Sequence, residues 1–386
     1  MPTSQGKSSV LFITSWYTKK DNPSLGIYVK RHAIALSKFE KCTILHAYNS
    51  TENRTEEHTI NPNLSEIIVY YKKSDFRLFD IVRYIKAYRK GLDVVKKSIG
   101  TPSLIQANIT FPVGIIAYLF KITHKIPYVI QEHWSGYLQE DGSYKISNSI
   151  LKFFHRLIIK NANSVATVSH ALQKAMLDNN LKNRNYTRVP NVIDTKLFSP
   201  SYPAETRNKQ IIHISSLNDI EKNITTLIET IAELKTERDD FTCIFCGTSS
   251  EENKFKELAT KKNILNTVVF FKGFLKPEEL VIEIRKSAFL LMYSNYETFS
   301  CVTLEAMACG IPVLSGDAGG VKELITEETG IVVPQNNNQA LKKKINFMLD
   351  NYAKYDSSVL HEYVQTNFSE DVVGKQIQHW HKQSLK

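Results

Sequence analysis

The sequence predicts an α/β protein of two doubly wound domains, each a parallel sheet covered by helices on both faces. Three observations carry that expectation. Short apolar runs rich in β-branched residues alternate with amphipathic helical stretches along the whole chain, the pattern of parallel strands joined by helical crossovers. The 386 residues are enough for two domains with full cores. Apolar residues make up 42% and charged residues 23%, ordinary globular proportions, and no run approaches the roughly 18 apolar residues of a spanning helix.

The polar segment Met1–Lys7 runs directly into a strand at Ser9–Thr14, so no signal peptide is expected. After the loop Ser15–Leu25, Gly26 opens an amphipathic helix from Ile27 to Lys38, and Cys42–His46 is the second strand. A single glycine here is no dinucleotide fingerprint, and no Gly-x-Gly-x-x-Gly occurs in the chain. Ile67–Tyr71 is a further strand. A basic helix follows, Arg77 to Lys97, with Leu78, Ile81, Val82, Ile85, Leu92 and Val95 at helical spacing. Its many Lys and Arg residues are either a solvated face or a surface for an anionic membrane; nucleic acid is not expected, since no aromatic-interleaved basic motif accompanies them.

Strands at Leu104–Ala107 and Tyr128–Gln131 flank an apolar helix from Val113 to Ile122. Glu132-His133-Trp134 closes the second of them and enters a polar loop; a lone histidine there is either structural or a ligand contact. Ser164–Ser169 is a strand before another helix, and Ser199–Asn208 reads as a linker. Strands at Ile211–Ser216, Phe241–Gly247 and Val268–Phe274 alternate with helices from Ile224, Glu251 and Pro277. The domains are therefore 1–198 and 209–365.

Ser287–Tyr293 is a buried strand, and the run from Tyr293 to Asp317 carries the chemistry. Ser300 can cap a helix beginning at Cys301, which Gly310 and Pro312 stop, and Ile311–Ser315 is the next strand. The helix N-terminus thus lies at the carboxyl end of a strand, where open α/β sheets bind ligands. Amides at Cys301, Val302 and Thr303 would point at an anion. Glu297 before the helix and Glu305 within it suit hydroxyls flanking a phosphate, one carboxylate on each side of a diphosphate. For either glutamate alone, a surface or helix-dipole role is the plainer reading. Gly330–Val333 and three terminal helices follow, the last from Glu370 to Gln383.

Glu297 and Glu305, then Ala306-Met307-Ala308, Gly310-Ile311-Pro312-Val313, Gly319-Gly320 and Glu323, resemble the signature of retaining glycosyltransferase family four. The resemblance implies the GT-B fold: two Rossmann-like doubly wound domains facing across a cleft, the final helix 369–386 crossing back to the first. It implies transfer of a sugar, with retention, from a nucleotide-diphosphate sugar to a carbohydrate or lipid-linked acceptor, with no cofactor beyond that co-substrate.

Residue by residue, the resemblance places Glu297 on the sugar side of the donor and Glu305 on the ribose side. Phe299, Ser300, Cys301 and Val302 join the donor site, and Gly247, Phe274 and Leu275 pack backbone around phosphate and base. Lys222 keeps the cation that offsets the leaving diphosphate, whereas Ser216 stands where the family commonly has arginine. His133 matches the cleft histidine that contacts the transferred sugar or the acceptor, and Gly26 belongs to the acceptor side. Val192 replaces the glycine of the family's hinge segment. No Asp-x-Asp pair exists, so no metal site is expected.

Five cysteines form no framework and fit a reducing cytoplasm; Cys243 and Cys246, alternating in a strand, read as small buried residues. A net charge of +10 favours a negatively charged partner: a membrane surface, a phosphate-bearing substrate or nucleic acid. The location expected is cytoplasmic, at most at the inner face of the membrane. Two rival readings stay open: a sugar-nucleotide epimerase of the same architecture, which would convert the donor sugar without any acceptor, and a two-lobed sugar-binding protein without turnover.

Overall fold

The computed structural model describes residues 9–18, 25–200 and 208–386. The predicted lead Met1–Lys7, part of the loop Ser15–Leu25 and most of the linker Ser199–Asn208 lie outside the described residues. Contacts divide the chain into two units, one of Met1–Tyr137, Gly142–Val192 and Glu370–Lys386, the other of Leu138–Asp141 and Ile193–Ser369.

The first unit runs β1 (Ser9–Thr14), α1 (Ile27–Ser37), β2 (Lys41–Ser50), β3 (Arg54–Asn61), β4 (Leu64–Lys72), α2 (Arg77–Ile99), β5 (Leu104–Asn108), α3 (Val113–His124) and β6 (Tyr128–Glu132). It continues with α4 (Ser143–Ile146), α5 (Ser149–Asn161), β7 (Val165–Thr167), α6 (His170–Asp178) and β8 (Tyr186–Arg188). Its sheet has the order β3-β4-β2-β1-β5-β6-β7-β8, parallel throughout except for the antiparallel pair β3–β4. The winding reverses between β1 and β5, so the loops leaving those strands open a ligand crevice at their carboxyl ends.

The second unit runs β9 (Gln210–Ile214), α7 (Asp219–Lys222), α8 (Ile224–Lys235), β10 (Thr242–Cys246), α9 (Glu252–Lys261), β11 (Val269–Gly273) and α10 (Pro277–Lys286). Then come β12 (Phe289–Met292), α11 (Cys301–Ala308), β13 (Val313–Gly316), β14 (Gly330–Val333), α12 (Asn338–Asn351) and α13 (Ser357–Phe368). The order β11-β10-β9-β12-β13-β14 is all parallel, and its winding reverses between β9 and β12. A further helix, α14 (Glu370–Ser384), packs on α1 in the first unit. The two approach closely at Gly374, where a Cβ would stand 2.5 Å from the carbonyl of Ala35.

β1, β5 and β6 are buried along their whole length, as strands covered on both faces must be. Polar members of β5 and β6 reach the covering helix and neighbouring backbone: Gln106 Oε1 lies 2.9 Å from His381 Nε2, and Gln131 Nε2 donates to Val189, while Gln131 Oε1 is buried with no partner among the described residues. Cys243 and Cys246 are both buried in β10, and burial pushes both thiols up, that of Cys246 to about 12.

β3 and α5 are the longer of the elements that go beyond the sequence-based expectations, α4, β8 and α7 being the short ones. β3, Arg-Thr-Glu-Glu-His-Thr-Ile-Asn, is a charged edge strand with no buried residue, so it carries no apolar alternation to read. α5 begins at Asn148, whose side chain accepts the Leu151 amide, and it presents an amphipathic face to the core. The apolar stripe of α2 divides: Leu92 and Val95 enter the core, while Leu78, Ile81 and Val82 are exposed. Ser300 departs from its expected role. It sits at the N-cap position of α11 with φ 72°, and its side chain makes no cap hydrogen bond. That left-handed backbone turns the hydroxyl toward the Thr303 hydroxyl, 2.9 Å away, instead of the helix amides.

Candidate active site

In the second unit the switch point places the β9–α7 and β12–α11 connections side by side. β12 delivers Tyr293, whose hydroxyl donates to Pro334 and accepts the Asn337 amide, so the loop after it starts from a fixed base. The Asn295 amide donates to the Glu221 carbonyl and its side chain to the Ile220 carbonyl, tying that loop to α7. Lys222 ends α7, which Asn218 caps through the Glu221 amide. The Lys222 ammonium donates to Glu297 Oε1 at 2.6 Å, lies 2.7 Å from Glu221 Oε1, and has a side chain only 10% exposed. Burial pulls that ammonium down, but the carboxylates of Glu297 and Glu221 outweigh it, and it is held above the ordinary lysine range. Ser294 donates a further bond to Glu297 Oε1 at 3.0 Å.

The backbone of Glu297 is held as firmly as its side chain. Its carbonyl accepts the Gly320 amide at 3.0 Å. Gly319, at φ +52°, passes so close that a Cβ would stand 2.2 Å from that same carbonyl. Gly319 is therefore a steric requirement of the glutamate loop.

α11 follows directly. The first four amides of a helix have no partner inside it, and the Ser300 side chain supplies none. Glu305 is buried one turn in, and Cys301 and Val302 are half-buried. The Phe299 ring is buried against Phe368, edge-on at 5.9 Å, which makes it core and leaves its backbone as what it can offer a donor.

Three neighbouring loops close on one another by backbone. Gly247, at φ +134°, donates its amide to Gly273, and a Cβ there would collide with the Ser215 carbonyl at 1.7 Å. Ser216 is exposed beside them, Phe274 is exposed and Leu275 half-buried. Beneath lies His213, whose Nδ1–H donates to Leu291 while Nε2 accepts the Ser215 hydroxyl. Burial holds its pKa down to about 4, partly offset by the Leu291 carbonyl, with the Lys222 charge lowering it further.

In the first unit His133 leaves β6 at the crevice edge. Glu132, fully buried, gathers the amides of His133, Trp134 and Thr110 and the hydroxyls of Thr110 and Tyr137. The His133 ring stacks on Tyr28 of α1 at 3.8 Å between centroids, and its Nε2 is buried with no hydrogen-bond partner among the described residues. Burial, then the neighbouring His32, hold it well below the usual histidine range, so it acts as a neutral imidazole. Gly26 starts α1 at φ +67°; a Cβ would come within 2.2 Å of the Trp16 carbonyl, so only glycine fits.

The structure thus brings together Glu297, Lys222, Ser294 and Glu221, and separately Gly247 with the Gly273–Leu275 turn. Glu221, Ser294, Glu132 and Tyr28 are additions to the predicted set. None belongs to a spaced motif; only the adjacency of Glu221 to Lys222 and of Glu132 to His133 hints at them.

Residues 194–361 match the family described as Glycosyl transferases group 1, and residues 25–197 match Glycosyltransferase Family 4. An uncharacterized glycosyltransferase of Methanocaldococcus jannaschii is 27% identical over 277 residues, 69% of this chain and 70% of that protein. With other curated relatives the match spans from 32% to 62% of their length. Sucrose-phosphate synthase from Thermosynechococcus elongatus superposes with a TM-score of 0.78 at 19% identity, over 98% of this chain and 99% of that one. Anabaena HepE, solved with UDP-glucose, superposes at 0.72 with 17% identity, over 97% and 99%.

Proposed function

The chain belongs to glycosyltransferase family 4, group 1, and from that membership we propose that it moves a sugar with retention, without a metal, from a nucleoside diphosphate to a hydroxyl of a carbohydrate or lipid-linked carbohydrate. The observation that carries this reading is the buried Glu297–Lys222 pair, with the half-exposed Glu221 beside it, at the switch point of the second sheet. In the reaction the acceptor oxygen bonds the anomeric carbon on the face the diphosphate leaves. The bond from that carbon to the phosphate oxygen breaks with its electron pair staying on the phosphate, which takes the acceptor's proton. Charge thus accumulates on the diphosphate, and Lys222 with the α11 amides is the protein's means of meeting it. Glu297 accepts sugar hydroxyls, Glu305 ribose hydroxyls, and His133 serves the acceptor side.

The two glutamates test the placement. A carboxylate accepting hydroxyl hydrogen bonds contributes roughly 1.5–3 kcal/mol. Glu305→Gln is expected to weaken both the nucleotide sugar and the bare nucleoside diphosphate. Glu297→Gln should leave the bare diphosphate nearly unchanged and lower kcat/KM for the sugar donor. Calorimetry with both ligands on both variants decides it: equal weakening of the bare diphosphate removes the sugar from beside Glu297.

Metal independence rests on the missing Asp-x-Asp pair. Activity is expected to survive excess chelator, and a loss restored by magnesium or manganese would overturn this part of the reading. No described helix is long and apolar enough to cross a membrane. The basic face of α2 supports peripheral contact with an anionic one, as would be read from lost co-sedimentation after reversing Arg83, Lys86, Arg89 and Lys90 to Glu.

A further inference from the structure

We propose that a cavity between β4 and α2 in the first unit binds the phosphate headgroup of an anionic lipid, while the apolar start of α2 enters the acyl layer beside it. This rests on the reading that α2 faces an anionic membrane and goes beyond it by naming a site. The cavity measures about 330 Å³. Lys72 stands at the end of β4, and Arg83, Lys86 and Lys90 reach the cavity from successive turns of one helix face, over a wall formed by Tyr70 and Tyr71.

No carboxylate lines the cavity, and among the described residues none of the four cations forms an ion pair. The nearby Asp80 is engaged by the Ser74 amide at 3.1 Å. Four like charges around one concavity repel one another and focus a positive potential, so an anion placed there is stabilised by all four. Arg83 is already oriented: its Nη1 donates to the Lys72 and Lys73 carbonyls at 2.8 and 3.0 Å, and its other N–H groups have no protein partner among the described residues. A guanidinium fixed by one edge is prepared to present the other to phosphate.

What surrounds the cavity points to a lipid as the source of that phosphate. Phe76 is 72% exposed, Leu78 78%, Phe79 61%, Ile81 49% and Val82 46%. Those five residues stand at the start of α2, Phe76 edge-on to Phe79, within one to two turns of the first cations. Large apolar side chains beside a basic cluster suit the boundary of headgroup and acyl chain. A nucleic acid or a free phosphate would leave those side chains in water.

Co-sedimentation of the full chain with phosphatidylcholine vesicles, with and without phosphatidylglycerol, tests the site. Lys86→Ala/Lys90→Ala removes two lining charges. Lys97→Ala/Lys160→Ala removes the same charge elsewhere, Lys97 lying about 16 Å along the helix from Lys86. All four side chains are on the surface, so unchanged melting temperatures are expected. The cavity pair should lose about thirty-fold in binding to the anionic vesicles, at about a factor of five per cation, and the control pair under about threefold. Equal losses would overturn the cavity and leave general membrane docking standing. No binding of the wild type to anionic vesicles would remove the docking reading itself. Inorganic phosphate, titrated by calorimetry, separates the remaining source: binding that the cavity pair abolishes, without any vesicle binding, would make this a soluble-phosphate site and overturn the lipid.

Discussion

Lowering the pH from 7 to 5 is expected to melt the first unit far below the second. Four buried histidines of the first unit are held neutral by burial: His32 and His155 with pKa values of about 4, His381 at about 3, and His133 well below the usual range. In the second unit His213, at about 4, is the comparable group. The structure shows why a proton is unwelcome. His32 Nε2–H donates to the Pro190 carbonyl, and His381 Nε2 pairs with Gln106 Oε1, while Nδ1 of each ring is buried with no acceptor among the described residues.

A histidine with a depressed native pKa binds its proton first in the unfolded chain, near pH 6.5. Stability is therefore intact above that value and lost as pH falls toward the native pKa. Each of His32, His155 and His381 removes about 2 kcal/mol by pH 5. The three remove about 6 kcal/mol, a large part of the whole stability of a domain, and His133 acts in the same direction. For a unit of this size that is a drop of about 15 °C or more, against about 6 °C for the second. Scanning calorimetry at pH 7 and pH 5 should show the transitions separate. Transitions that shift together by under about 5 °C would contradict the assignment. His381→Gln keeps a donor for Gln106 and should flatten stability against pH by about 1.4 kcal/mol per unit between pH 6 and 4.5.

How far the sequence revealed this molecule depended on whether a feature is local. Strand–helix alternation is local, and both parallel sheets follow from it; β3 escaped because an exposed charged edge has no burial pattern to leave in the sequence. The division of α2 was hidden for a related reason. Periodicity places Leu78 and Leu92 on one stripe, yet only the sheet's extent decides which of them is covered. At the candidate site, Glu297 and Glu305 were legible as members of a long ordered signature, and Lys222 by its place after β9. Their partnership was not, since Lys222 and Glu297 are 75 residues apart and meet only because β9 and β12 are neighbours. Ser300 shows the converse error: a good capping residue in the right place is turned away by a backbone angle no composition reveals.

Lys222→Ala is expected to lower kcat about a hundredfold while weakening the bare nucleoside diphosphate far less, because the diphosphate gains charge as the bond breaks. Ser216 in place of arginine leaves no second cation at that position to compensate. The substitution also strips Glu297 and Glu221 of their shared partner, so loss of rate could come from a loosened loop. Glu221→Gln separates the two causes. Its carboxylate lies 2.7 Å from the same ammonium in a partly exposed position, where it would compete with a diphosphate. If Lys222 serves the diphosphate, Glu221→Gln should tighten nucleoside diphosphate binding several-fold, the reverse of what removing a structural contact does. Stopped-flow turnover and calorimetry on both variants supply the readouts. A kcat change under about threefold for Lys222→Ala would mean the leaving group is held elsewhere. A large kcat loss joined to weaker diphosphate binding in Glu221→Gln would assign the Lys222 cluster to holding the Glu297 loop in place rather than to the leaving group.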